Sequence, residues 1–91
     1  MKITTKGRYA IHILYDLAVN GTEHPVSVKE MATRQEISVK YTEQIISILN
    51  KAGYVSSSRG FQGGYRLTKA PADYTAGEIL RAIEGSVAPI P

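Results

Sequence analysis

The sequence contains no cysteine. Within this chain that excludes a disulfide framework, a cysteine-held zinc site, a cluster bound by its own thiolates and a thiol nucleophile. It is compatible with a reducing compartment, and a cytoplasmic location is expected. Histidine is scarce: His12 and His24 are the only two. His12 falls inside a helical pattern, where a packed or surface imidazole is the ordinary case. The carboxylates are scattered over capping positions and helix faces. No paired acids, nucleophile elbow or metal-ligand spacing occurs, so neither an enzyme nor a metal site is expected. Long apolar runs are missing as well. Nothing approaches the roughly 18 apolar residues of a membrane span, and the opening residues lack the apolar core of a signal peptide. There are no internal repeats and no low-complexity tracts.

What is present suits one small soluble domain. With 43% hydrophobic and 21% charged residues, the chain is too apolar for disorder. Ninety-one residues suffice for one core and not for two. The net charge of +3 is a weak pointer to an acidic partner, but its distribution is uneven. Residues 1–20 carry Lys2, Lys6 and Arg8 against Asp16. Residues 21–53 balance. Residues 54–70 hold Arg59, Arg66 and Lys69 with no acid, and residues 71–91 are net acidic. Positive charge thus gathers at the N-terminus and around Arg59, which fits either a solvated surface with local fluctuation or a phosphate-facing side.

Four helices are expected. Ala10, Ile11, Leu14, Leu17 and Ala18 recur at helical spacing over residues 6–20, and Gly21 stops the pattern. Pro25-Val26 reads as a short extended piece. Ser27-Val28-Lys29-Glu30 is a capping box that opens a second helix, residues 28–35. Glu36-Ile37 is a tight turn with Ile37 pointing inward, and Ser38 caps a third helix, residues 39–52. Ile45, Ile48, Leu49 and Ala52 form its expected buried face, with Gly53 beyond it as the stop. Thr75-Ala76-Gly77-Glu78 is a second capping box before a helix over 76–84, which Gly85 should end. Between the third and fourth helices, Tyr54–Ser58 and Tyr65–Thr68 are strand-like and flank a glycine-rich loop, giving a hairpin over 54–68. The fold class is therefore mainly α with a small β-hairpin, a winged helix-turn-helix. Val28, Met31, Ile37, Ile45, Leu49, Ile79 and Ile83 are the expected core.

In such a unit the second helix of the turn enters the major groove with its N-terminal half. Lys40, Tyr41, Glu43, Gln44 and Ser47 occupy that half. Gln44 can pair with adenine, Glu43 can accept from a cytosine amino group, and Tyr41 can pack on a thymine methyl or bond a phosphate. Arg59, at the entrance to the wing tip, can reach a minor groove, and Gly60, Gly63 and Gly64 allow close backbone approach. Phe61 reads as a packing or partner contact rather than an intercalating wedge. Thr4, Thr5, Lys6, Arg8 and Tyr9 can donate to phosphates, as can Ser38, Lys40 and Gly60. A nucleotide-binding loop is a weak third option, because the glycines lie between strands and no G-x-x-x-x-G-K-[ST] motif occurs. The competing use of the same fold is a protein-interaction module, since fold alone does not fix function.

Several segments together resemble one family. They are Met1–Ala10, Ile37–Ile45, Lys51-Ala52-Gly53-Tyr54-Val55, Ser58-Arg59-Gly60, Gly63-Gly64-Tyr65 and Ala82-Ile83-Glu84-Gly85. The chain resembles, over nearly its full length, the Rrf-two family of bacterial winged-helix transcription regulators, the IscR-, NsrR- and CymR-like group. The resemblance implies a homodimeric regulator, usually a repressor, on a partly palindromic operator in double-stranded DNA. It implies base contacts from Tyr41, Glu43, Gln44 and Arg59. Family members usually continue into a long dimerisation helix, and many carry three cysteines that hold an iron–sulfur cluster. The expectation is therefore a DNA-binding part whose dimerisation and sensing segment lies outside these 91 residues, with no cofactor of its own. Thr42 stands where the family more often has leucine.

Overall fold

The computed structural model describes residues 3–58 and 63–87. Helix α1, Thr5–Asn20, begins where Thr4 leaves its backbone extended and its hydroxyl accepts the Gly7 N–H at 3.0 Å. Its inner face buries Ala10, Ile13, Leu14 and Leu17. Gly7 is buried too: a Cβ there would stand 2.7 Å from Leu80 Cδ2, so the residue lets α1 cross close to the last helix.

Helix α2, Val28–Gln35, is capped by Ser27, whose hydroxyl accepts the Glu30 N–H at 3.1 Å. The Glu30 carboxylate turns forward to Arg34, 3.3 Å away. The turn that follows is a Schellman motif: Ile37 N–H donates to Ala32 O at 3.1 Å and Glu36 N–H to Thr33 O at 3.3 Å. Glu36 holds the left-handed conformation, φ 57°, that usually falls to glycine. Helix α3, Val39–Lys51, starts three residues later, with Ser38 accepting the Tyr41 N–H at 3.0 Å. It ends in a second Schellman motif, in which Tyr54 N–H reaches Leu49 O and Gly53 N–H reaches Asn50 O. Gly53 takes the left-handed position with φ 85°.

Strands β1, Val55–Ser58, and β2, Gly64–Leu67, pair antiparallel with Val55 opposite Leu67 and Ser58 opposite Gly64. Val26 adds an outer rung: it exchanges both backbone hydrogen bonds with Tyr65, at 3.0 and 2.8 Å. A Cβ at Gly64 would stand 2.5 Å from Val26 O, so only glycine fits between these backbones. After a 3-10 turn at Pro71–Asp73, Thr75 caps helix α4, Ala76–Val87, through the Glu78 N–H.

The element order is that of a winged helix-turn-helix, mainly α with a two-stranded hairpin. Its core is built from Ile13, Leu17, Val26, Met31, Ile45, Ile46, Leu49, Val55, Ile79 and Ile83, all nearly or fully buried. Four details differ from the sequence reading. Ile37 and Val28 are only half-buried, Val28 packing on the rim of the core. On α3 the innermost residues are Thr42, Ile45, Ile46 and Leu49, while Ala52 is exposed and Ile48 half-buried. Thr42, Ile45, Ile46 and Leu49 follow the i, i+3, i+4, i+7 spacing, and α1, α2 and α4 cover that face. Gly85 does not stop α4, which runs on to Val87, because Gly85 lacks the positive φ of a helix terminator. Asp16, read from sequence only as a charge, is 4% exposed.

Candidate nucleic-acid interface

One open concavity gathers residues from three helices. Lys40, Glu43, Gln44, Ser47 and Lys51 line it from α3, Lys6 from α1 and Ala82 from α4. The α3 residues run along one helix side for about 16 Å, from the rise of 1.5 Å per residue. Lys40, Glu43, Gln44, Ser47 and Lys51 are exposed, and Lys6 is half-buried beside them. Among the described residues none of Lys6, Lys40, Glu43, Gln44 or Lys51 forms an ion pair or side-chain hydrogen bond. Their hydrogen-bonding capacity faces outward.

The remaining candidates divide. Tyr41 is half-buried, and its ring stands edge-on to Tyr9 with centroids 6.0 Å apart. Tyr9 in turn meets His12 edge-on at 6.0 Å. Both tyrosine rings therefore brace α3 against α1. Thr4 and Ser38 are exposed, but their oxygens already accept helix-capping N–H groups, which leaves each hydroxyl proton to donate. Arg8 is exposed and does not line the concavity. Arg59, Gly60 and Phe61 lie outside the described residues.

Lys51 and Ala82 were not singled out from sequence. Lys51 follows Lys40 by eleven residues, close to three helical turns, and that spacing was the available signal. Ala82 had no such signal, because its place depends on how α4 packs.

The basic cluster over residues 54–70 is partly spent inside the fold. Arg66 Nη2 donates to Glu23 O at 3.2 Å. Lys69 Nζ lies 3.6 Å from Glu78 Oε2 and stands over the rings of Tyr74 and Tyr54, 5.1 and 5.5 Å from their centroids. Two of the three cations in that cluster thus tie the hairpin to its neighbours.

A short turn between α2 and α3, an exposed polar face at the start of α3 and a hairpin behind it define a winged helix-turn-helix regulator. The chain belongs to the Rrf2 family, described as "Iron-dependent Transcriptional regulator", whose profile matches residues 3–91. It is 47% identical over 90 residues to protein rrf2 of Nitratidesulfovibrio vulgaris, covering 99% of this chain and 60% of that protein. It is 46% identical to the HTH-type transcriptional regulator CymR of Bacillus subtilis, covering 99% of this chain and 65% of CymR. The structure of B. subtilis CymR superposes with a TM-score of 0.87 at 44% identity, over all of this chain and 70% of CymR. That of T. potens IscR gives 0.87 at 47% identity, over 99% and 66%. The chain therefore spans less than two thirds of the two curated relatives. The family description and the name of B. subtilis CymR both give a transcriptional regulator, not an enzyme. Among the described residues no helix is long and apolar enough to cross a membrane.

Proposed function

We propose that these residues form a sequence-specific module for double-stranded DNA, with α3 in the major groove. The carrying observation is the concavity that sets Lys6 of α1 beside Lys40, Glu43, Gln44 and Lys51 of α3, with no partner for these groups inside the described fold. Gln44 reads adenine and Glu43 a cytosine amino group. Tyr41 adds a contact through its outer edge. Lys6, Lys40, Arg8 and the hydroxyls of Thr4 and Ser38 hold phosphates and set the register. Arg59 reads the minor groove and Gly60 approaches a phosphate. Glu43 repels phosphate, so it sharpens selectivity at the expense of affinity.

In the cytoplasm of a bacterium the full-length protein acts as a homodimer on a partly palindromic operator, as a repressor. The family description invokes iron, yet the 91 residues include no cysteine, so a thiolate-held cluster finds no ligand among them. No group of three or more histidines and carboxylates suited to a metal occurs among the described residues either.

Selection of bound duplexes from a random pool at near-physiological salt tests the reading. Enrichment of an inverted repeat, or of a single half-site, supports it. No enrichment by the folded chain, nor by the chain fused to a dimerising coiled coil, overturns it in favour of the protein-interaction use of the fold.

A further inference from the structure

Where the hairpin meets the end of α3, the Thr68 N–H donates to Tyr54 O at 3.3 Å, and one phenol adds to that closure. Tyr74 lies between the 3-10 turn and α4. Its hydroxyl donates to Tyr54 O at 2.7 Å and accepts from the N–H groups of Thr68 at 3.0 Å and Lys69 at 3.3 Å. Tyr54 immediately precedes β1, while Thr68 and Lys69 immediately follow β2. One oxygen thus clamps the incoming and outgoing strands at the base of the hairpin. The same joint reaches the end of α3: Thr68 Oγ1 donates to Gly53 O at 2.8 Å, and Gly53 is the left-handed terminator of α3. Lys69 then lies over the Tyr54 and Tyr74 rings and pairs with Glu78 on α4.

The helix terminator, both strand bases and the first turn of α4 are therefore joined through Tyr74 and its two neighbours on the hairpin. A two-stranded ribbon has little stiffness of its own. Its angle to α3 is set where it is anchored: Val55 and Leu67 seat it on the core, and the hydrogen-bonded hub closes its base. We propose that Tyr74 is a positioning residue for DNA reading: its hydroxyl, with Lys69 and Thr68, fixes the angle between the wing and α3, so that both reach one duplex in register. This rests on the DNA-binding reading above.

Tyr74→Phe keeps the ring and the place for Lys69 but deletes the hydroxyl's bonds to Tyr54 O and to the Thr68 and Lys69 N–H groups, with its 3.4 Å contact to Thr68 Oγ1. Affinity is measured for the selected duplex and for a panel changed one base pair at a time, with wild type, Tyr74→Phe, Arg59→Ala and the double variant. Tyr74→Phe is expected to lower affinity by roughly fivefold to tenfold, the scale of one or two hydrogen bonds. The lost discrimination falls at the positions that Arg59→Ala also affects and spares those that depend on Gln44. The double variant then binds within about twofold of Arg59→Ala alone, since coupled residues are not additive. Without DNA, amide exchange of Thr68 and Lys69 quickens while α1 and the centre of α3 stay protected. Thr68→Val, an exposed change that deletes the tie to Gly53 and the 3.4 Å contact of Oγ1 with the Tyr74 hydroxyl, shifts the same positions more weakly and serves if Tyr74→Phe unfolds.

Additive losses, or a loss spread evenly over all positions, overturn the proposal. If Arg59→Ala alters base preference and neither Tyr74→Phe nor Thr68→Val does, only the positioning role falls. If wild type selects no sequence, either alone or fused to the dimerising coiled coil, the DNA reading itself falls.

Discussion

Arg34 holds a carboxylate that α1 has carried out of water. Its Nη2 lies 2.8 Å from Asp16 Oδ1, and its Nε reaches both oxygens at 3.1 and 3.0 Å. Asn20 Nδ2 adds a further bond at 3.0 Å. The Asp16 side chain is 3% exposed and that of Arg34 39%. This bond, opposed by partial burial, raises the Arg34 pKa above its ordinary value. A raised cationic pKa gives stability that is complete below the unfolded value and lost only as pH rises through the folded one. For an arginine that window is strongly alkaline, so the pair's guanidinium stays charged from pH 5 to 9.

The unequal exposure predicts unequal mutants. Arg34→Ala strands a buried carboxylate with Asn20 as its remaining partner and is expected to destabilise the fold by about 3 kcal/mol. Asp16→Asn leaves a guanidinium that reaches water and Glu30, at a loss of about 1–2 kcal/mol. Urea unfolding of both variants checks the order. Equal losses would mean that Asp16 is not stranded.

Glu36 predicts the opposite sign. It is the one non-glycine residue with positive φ among the described residues, and it sits in the turn between α2 and α3. Glu36→Gly removes the steric strain of the left-handed conformation and is expected to stabilise the domain by about 0.5–1 kcal/mol, after the entropy of glycine in the unfolded chain is subtracted. A rise in thermal midpoint with DNA binding unchanged is the expected result, and a fall would contradict the strain argument.

Thr42 is fully buried, and its hydroxyl donates to Ser38 O at 2.9 Å. That carbonyl also accepts the Thr42 N–H at 3.0 Å, so removing the hydroxyl orphans no acceptor. Thr42→Val is therefore expected to change stability by less than about 1 kcal/mol. Thr42→Leu adds volume at a closed site and is expected to destabilise by about 1–3 kcal/mol unless α1 shifts. Calorimetry of the two variants separates the hydroxyl from the volume.

On DNA, the two sides of the concavity predict different signatures. Lys6→Ala is expected to weaken all duplexes alike and to lower the slope of log affinity against log salt by roughly one unit. Lys51→Ala is expected to do the same if the duplex runs the length of α3. Gln44→Ala leaves the salt slope alone and is expected to lose about 1–3 kcal/mol at one base pair. Arg59→Ala is expected to lose about 1–3 kcal/mol and to relax preference beneath the wing. Titrations at several salt concentrations, on selected and random duplexes, distinguish these outcomes. An unchanged slope would remove Lys6 from the phosphate contacts.

Much of this domain was legible in the chain because its signals are local. Ser27, Ser38 and Thr75 each bond an N–H three residues ahead, and Gly53 terminates α3 one residue past its cap. Such contacts close within a single helical turn, so residue type and spacing determine them. The turn between α2 and α3 and the polar start of α3 followed from the same short-range rules. Other features needed the packed fold. Ile46 rather than Ala52 turns inward because of which neighbours cover α3. Asp16 is buried because Arg34, 18 residues away, comes to meet it. Arg66 and Lys69 counted in sequence only toward a basic segment, yet Glu23, Glu78 and two tyrosine rings occupy them. The meeting of Lys6 with Lys40 and Gln44 was settled in the same way. A sequence specifies by itself what a residue does to the backbone within about four positions. Which side chains from distant segments share a site depends on the one arrangement of helices that buries all their apolar faces together.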